Sequence, residues 1–193
     1  GRGLIDCVDH RDVVTFTGSA ATGRVLKSHP NIINNSVPFN LEADSLNACV
    51  LGEDAKKGTP EFDLFIKEVH REITVKTGQK CTAIRRILVP DSLIDEVQSA
   101  LIKKLEKTII GNPDNKDVRM GALATKIQVE RVKENIELLM KSQDVVYGDQ
   151  ENFTVCDASK DIGAFISPVL FRNDKPFLND DVHSIEAFGP VST

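Results

Sequence analysis

Apolar side chains recur along this chain with two different periods, and the alternation between them predicts its elements. Phe62, Phe65, Ile66, Val69 and Ile73 fall at i, i+3, i+4, i+7 and i+11, so a helix over this stretch gathers them on one face. Thr59 is placed to cap that helix with Pro60 at its first position, and Gly78 suits its stop. Ile94, Val97, Leu101 and Leu105 predict a second helix, opened by Asp91 or Ser92. Val132, Ile136 and Leu139 predict a third, with Thr125 and Gln128 as its capping box. Between these lie short runs rich in β-branched and aromatic residues. Residues 12–17 read as a buried strand, and further strands are expected at 37–42, 48–51, 87–89, 145–147, 164–166 and 169–171. The stretches 52–60 and 185–190 read as loops. Strands alternating with helices throughout give an α/β architecture.

Composition narrows the picture by exclusion. Net charge is −5, which offers no basic surface for nucleic acid or an anionic membrane. No apolar run approaches bilayer length, and no signal-peptide pattern opens the chain. Cys7, Cys49, Cys81 and Cys156 are far apart, with no C-x-x-C pair, which points to reduced thiols in the cytoplasm rather than a disulfide framework. His10, His29, His70 and His183 are equally scattered, so no metal site is expected. The chain lacks an initiator Met and stops where a strand is about to begin, so it reads as an internal piece of a longer protein.

Three places carry candidate chemistry. The strand at 12–17 runs straight into Gly18-Ser19-Ala20-Ala21-Thr22-Gly23 and then a helical pattern. That order presents backbone N–H groups and a helix N-terminus to a phosphate, although a plain turn fits the residues equally well. Glu42 falls at the end of a strand, where α/β sheets meet ligands and where a solvated charge is also common. Cys81 follows Gly78 by three residues and precedes an apolar run, which places a thiol on a loop between two rigid elements. Free cysteines elsewhere are mostly small buried hydrophobes, and position alone leaves both readings open.

Taken together, these stretches resemble one family. Phe16-Thr17-Gly18-Ser19 with Gly23, the strand-end Glu42, Gly78-Gln79-x-Cys81 and Glu186-x-Phe188-Gly189-Pro190 are similar to the ordered motifs of the aldehyde dehydrogenase superfamily. Gly111-Asn112-Pro113 and Met120-Gly121-Ala122-Leu123 resemble its intervening turns. The variants at residues 41–47 and 81–86 are most similar to the aldehyde dehydrogenase half of bifunctional phenylacetate-degradation proteins, in which a hydratase-like domain is fused to the dehydrogenase.

The resemblance implies an aldehyde dehydrogenase-like fold, with residues 1–44 the end of a Rossmann-type NAD(P)-binding domain and 45–193 the catalytic thiol domain. It implies Cys81 as nucleophile, Glu42 as the base that activates water, and the Cys81 backbone N–H as an oxyanion donor. Gly18 and Ser19 would face the cofactor pyrophosphate, with Gly23 in the same cofactor-binding set, Glu186 would hold the nicotinamide-ribose hydroxyls, and Phe188 would pack near the nicotinamide ring. The cofactor would be NADP or NAD, with NADP slightly favoured, the substrate a small-molecule aldehyde such as a CoA-linked semialdehyde, and the assembly a homo-oligomer. An acylating relative and a folded piece that serves only in assembly are the competing readings. The remainder of the cofactor site would lie outside these residues, so the isolated chain is expected to be inactive. One departure stands out: the family's Gly-Gly-Lys after the base is Ala43-Asp44-Ser45 here.

Overall fold

The computed structural model describes residues 2–193, and the chain divides into two units, Gly1–Ser45 and Leu46–Thr193. The first contains helix α1 (Arg2–Ile5), strand β1 (Val14–Gly18), helices α2 (Ala20–Lys27) and α3 (Pro30–Asn34), and strand β2 (Phe39–Ala43). The strands pair in parallel, Val14 opposite Phe39 and Gly18 opposite Ala43. A parallel pair needs a crossover, which α2 and α3 supply. Ile5, Ile32 and Val37 are its buried core, with Val14, Leu26 and Phe39 packed against them.

Strand β1 is less buried than its composition suggests. Val14 and Phe16 are half-buried while Thr15, Thr17 and Gly18 are exposed, because the pleat turns alternate residues to opposite faces and only one face meets the core. Helix α3 went unforeseen. Five residues are too few to display a period, and its signal is local: Pro30 at the first position and His29 Nδ1 accepting from the Asn31 N–H at 3.3 Å.

The second unit holds β3 (Asn47–Val50), α4 (Pro60–Thr74), β4 (Ile84–Leu88), α5 (Ile94–Leu105), α6 (Lys126–Leu139), β5 (Asp144–Tyr147), β6 (Val169–Arg172), α7 (Asp181–Ser184) and β7 (Val191–Ser192). Strands β3 and β4 pair in parallel; β6 pairs antiparallel with β5 and parallel with β7. Two backbone bonds join these sheets, from the Thr193 N–H to Arg85 O (2.9 Å) and from the Ile87 N–H to Thr193 O (2.7 Å). The resulting order is β3-β4-β7-β6-β5. Strand β6 shows that the sheet is covered on both sides. Leu170 packs into a cluster with Phe62, Val69 and Leu101 of α4 and α5, whereas Val169 and Phe171 pack with Val132 and Ile136 of α6. The architecture is α/β.

The long helices form where the apolar period places them. Thr59 Oγ1 accepts from the Phe62 N–H at 3.3 Å, and Thr125 Oγ1 from the Gln128 N–H at 3.2 Å. Elsewhere the boundaries shift. Helix α4 stops at Thr74, four residues before Gly78, because Lys76 and Thr77 turn left-handed at φ 52° and 54°. Neither Asp91 nor Ser92 caps α5; a single 3-10 turn over Asp91–Leu93 leads into it instead. Strand β4 begins at Ile84 rather than at residue 87, with Arg85 and Arg86 inside it. Residues 164–166 are not a strand. Ile166 is fully buried, but the segment's backbone bonds go to loops, as from the Leu123 N–H to Ala164 O at 2.8 Å.

Candidate active site

Cys81 is exposed on the turn between α4 and β4. The turn is reached through three consecutive left-handed residues, Lys76, Thr77 and Gly78 at φ 52°, 54° and 70°. A β-branched residue there costs about 1–3 kcal/mol and persists only where its surroundings over-determine it. Here they do. The Thr77 hydroxyl donates to Gly121 O (3.0 Å), Gln79 Oε1 accepts from the Ala124 N–H (2.8 Å), and Lys80 Nζ meets Glu72 Oε1 at 2.6 Å. Asn47 Nδ2, from the start of β3, donates to Cys81 O (2.6 Å) and Ala83 O (3.1 Å). Among the other thiols, Cys49 is half-buried on β3, and burial pushes its pKa up and keeps it protonated.

The same turn is fastened to the segment carrying Glu186 and Phe188. Arg85 is buried at 5% exposure, and its guanidinium donates to Gly78 O (2.6 Å) and Gly189 O (2.5 Å). Its Cζ lies 5.6 Å from the centroid of the Phe188 ring. Burial pushes the Arg85 pKa down to about 10, against the opposing pull of Glu186 and Glu72. A Cβ on Gly78 would overlap the Gly189 carbonyl, so the two segments touch backbone to backbone. Glu186 is half-buried, with its carbonyl accepting from Asn135 Nδ2 at 2.9 Å, and Phe188 is 36% exposed.

In the first unit, Glu42 is exposed on β2 opposite Thr17, one step from the pairing of Gly18 with Ala43. Ser19 caps α2, its Oγ accepting from the Thr22 N–H at 3.2 Å. Gly23 lies inside α2, where a Cβ would overlap Leu41 of β2; the missing side chain lets helix and strand approach closely. Asp44 takes φ 47°, a conformation that favours glycine, and its Oδ1 accepts from the Ala20 N–H, the first of α2, at 3.1 Å. Beside α2 an apolar cleft of about 560 Å³ is lined by Val14, Phe16, Thr22, Val25 and Leu26, among others. A capped helix start, a glycine-permitted close approach and an apolar cleft for a flat ring suit a dinucleotide, with the Asp44 carboxylate already at the helix end.

Known proteins share this arrangement of elements. A model of the aldehyde dehydrogenase family matches residues 4–193. The chain belongs to that family. It is 46% identical over 192 residues to 3,4-dehydroadipyl-CoA semialdehyde dehydrogenase of Aromatoleum evansii, covering 100% of this chain and 37% of the relative. It is 31% identical over 180 residues to a probable betaine aldehyde dehydrogenase of Schizosaccharomyces pombe, covering 92% and 33%. Among solved structures, betaine aldehyde dehydrogenase from Staphylococcus aureus in complex with NAD+ aligns with a TM-score of 0.80 at 28% identity, over 94% of this chain and 34% of that one. The chain thus spans little more than a third of the length of these aldehyde dehydrogenases.

In the first unit Gly18, Ser19, Gly23 and Glu42 lie on or beside the β1–β2 pair; in the second, Gly78 and Arg85 join the turn that carries Cys81 to the segment that carries Glu186 and Phe188. Sequence reasoning overlooked Arg85, Asn47 and the anchoring role of Asp44. An arginine between Ile84 and Ile87 in a strand run is an available signal for Arg85. The other two depend on contacts 34 and 24 residues away in sequence, which no local pattern displays. Among the described residues no cluster of potential metal ligands occurs, and no helix is long and apolar enough to cross a membrane.

Proposed function

We propose that this chain carries the nucleophile and the base of an NAD(P)-dependent aldehyde dehydrogenase, acting on an aldehyde that is a CoA-linked semialdehyde of aromatic catabolism. The observation that carries the reading is the exposed Cys81 thiol, held on a strained, multiply anchored turn that is tied through Arg85 to the Glu186–Phe188 segment. Strain of this kind gathers at functional sites, where fixing one geometry is worth its cost.

In this reading the Cys81 thiolate adds to the aldehyde carbon, and the Cys81 N–H donates to the oxygen on which negative charge develops. The thiohemiacetal carbon would give up its hydride to a nicotinamide, leaving Cys81 as a thioester. Glu42 then removes a proton from the water that attacks the thioester carbon, releasing the acid and restoring the thiol. A carboxylate at this position supports hydrolysis over transfer of the acyl group to CoA. Ser19 and the start of α2 would hold the pyrophosphate and Gly18 would let it approach, while Gly23, packed on Leu41, would act only by seating α2 close to β2; Glu186 would accept from the nicotinamide-ribose hydroxyls, and Phe188 would pack near the ring. Similarity to the CoA semialdehyde dehydrogenase supports the substrate class, and to the NAD+-bound betaine enzyme the dinucleotide; the family resemblance slightly favours NADP over NAD. A homo-oligomer and a fused hydratase domain belong to the same reading.

The deciding experiment is Cys81→Ala in the full-length protein, assayed for aldehyde-dependent NAD(P)H formation. Turnover is expected to vanish with the melting temperature unchanged. Retained turnover in a folded variant rules out the thiol as nucleophile.

A further inference from the structure

Asn47 opens β3 at the point where the β3–β4 register slips between Asn47 and Ala48. Irregularities of this kind re-aim a side chain away from regular ladder geometry. Its amide reaches the turn that carries the thiol, where Nδ2 donates to Cys81 O at 2.6 Å and Ala83 O at 3.1 Å. Both amide hydrogens are thereby committed to one turn. Cys81 O lies in the peptide after Cys81, and Ala83, whose carbonyl Asn47 also holds, donates its N–H to Lys80 O at 3.2 Å, the carbonyl of the peptide that carries the Cys81 N–H. We infer that Asn47 is a positioning residue that sets the two peptides flanking Cys81, one directly and one through Ala83, and with them the joint aim of the thiol and the Cys81 N–H at one substrate carbonyl.

The inference rests on the reading of Cys81 as nucleophile and adds a physical requirement to it. An exposed thiol meets a simple alkylating reagent from many directions. Attack on an aldehyde also needs an N–H donor aligned on the same carbonyl oxygen, and that alignment depends on the backbone. Cys81 precedes the first ladder residue, Ile84, so sheet pairing does not fix its peptide. Asn47 does so from the neighbouring strand.

The test compares two reactions of one thiol in the full-length protein, with Asn47→Ala, Asn47→Asp and Cys81→Ala. Alkylation of Cys81 by iodoacetamide is followed by peptide mass spectrometry, and the pre-steady-state burst of NAD(P)H by stopped-flow absorbance. Asn47→Ala is expected to keep alkylation within about twofold while the burst falls about ten- to a hundredfold, with kcat reduced far more than KM is changed. Asn47→Asp turns a carboxylate toward two carbonyl oxygens, so its burst relative to wild type rises as pH falls and the carboxyl regains a proton to donate. A role confined to folding lowers both reactions in parallel and gives no recovery at low pH, and that result overturns the inference. So does a wild-type burst in Asn47→Ala. If Asn47→Ala does not fold, the pH profile of Asn47→Asp decides alone. Turnover surviving in Cys81→Ala removes the nucleophile reading itself; an inactive Cys81→Ala beside an unaffected Asn47→Ala removes only the positioning role.

Discussion

Gly78→Ala separates two costs that a glycine can hide. Gly78 sits at φ 70°, and a Cβ there would overlap the Gly189 carbonyl and approach Pro190 Cα to 2.9 Å. The left-handed conformation alone costs an alanine about 1–2 kcal/mol. The overlap is with backbone, which no rotamer change relieves, and forcing an added carbon into a packed contact costs about 1–3 kcal/mol more. The expected destabilisation is therefore about 2–5 kcal/mol. Two other glycines supply the controls. Gly58 has φ 93° with nothing within 4 Å of a Cβ, so Gly58→Ala meets the conformational cost only; Gly121 has open space and no positive φ, so Gly121→Ala meets neither. Urea denaturation of the three variants, followed by far-UV circular dichroism, should rank them Gly78, Gly58, Gly121 from most to least destabilised. The close approach also joins the Cys81 turn to the Glu186–Phe188 segment, so Gly78→Ala should weaken NAD(P) binding where Gly58→Ala does not. A Gly78→Ala variant no less stable than Gly58→Ala refutes the backbone contact.

Two further variants address the first unit. Glu42→Gln cannot accept a proton from water, so one equivalent of NAD(P)H should appear as a burst while steady-state turnover falls by about 10²–10⁴; loss of the burst as well places Glu42 before hydride transfer. Asp44→Asn keeps an oxygen for the Ala20 N–H and a side chain tolerant of the left-handed region, and changes only the charge at the helix end. Calorimetry should show dinucleotide binding tightened about two- to fivefold. Unchanged or weaker binding means that the Asp44 carboxylate does not compete with phosphate.

What the sequence made legible follows from how far apart the deciding contacts lie. Helix α4 was legible because five apolar residues share one face and its cap is local. So was the position of Cys81 on a turn, because glycine and an apolar run bracket it. The strand expected at 164–166 failed for the opposite reason. A short buried run looks the same whether its backbone pairs with a ladder or with loops, and Ala164 O turns to Leu123. The start of β4 was hidden by Arg85 and Arg86, whose charges read as loop. Arg85 is buried all the same, since its donors serve carbonyls of Gly78 and Gly189, the second of them 104 residues away.

That arginine explains how the Cys81 turn can carry strain. Burial disfavours its charge and pushes its pKa down to about 10, a cost set against what the guanidinium holds. Its return is geometric. One planar fork reaches Gly78, at the end of the left-handed run, and Gly189, beside Phe188, which a lysine's single ammonium does less well. Thr77 is held at the same time by the carbonyl of Gly121, and Gln79 by the Ala124 N–H. The turn is therefore pinned by β4, by the 121–124 segment and, through Asn47, by β3. Each pin is distant in sequence from the others, so the left-handed run depends on contacts drawn from across the second unit. Cys81 is exposed on a turn whose backbone those groups fix from three sides.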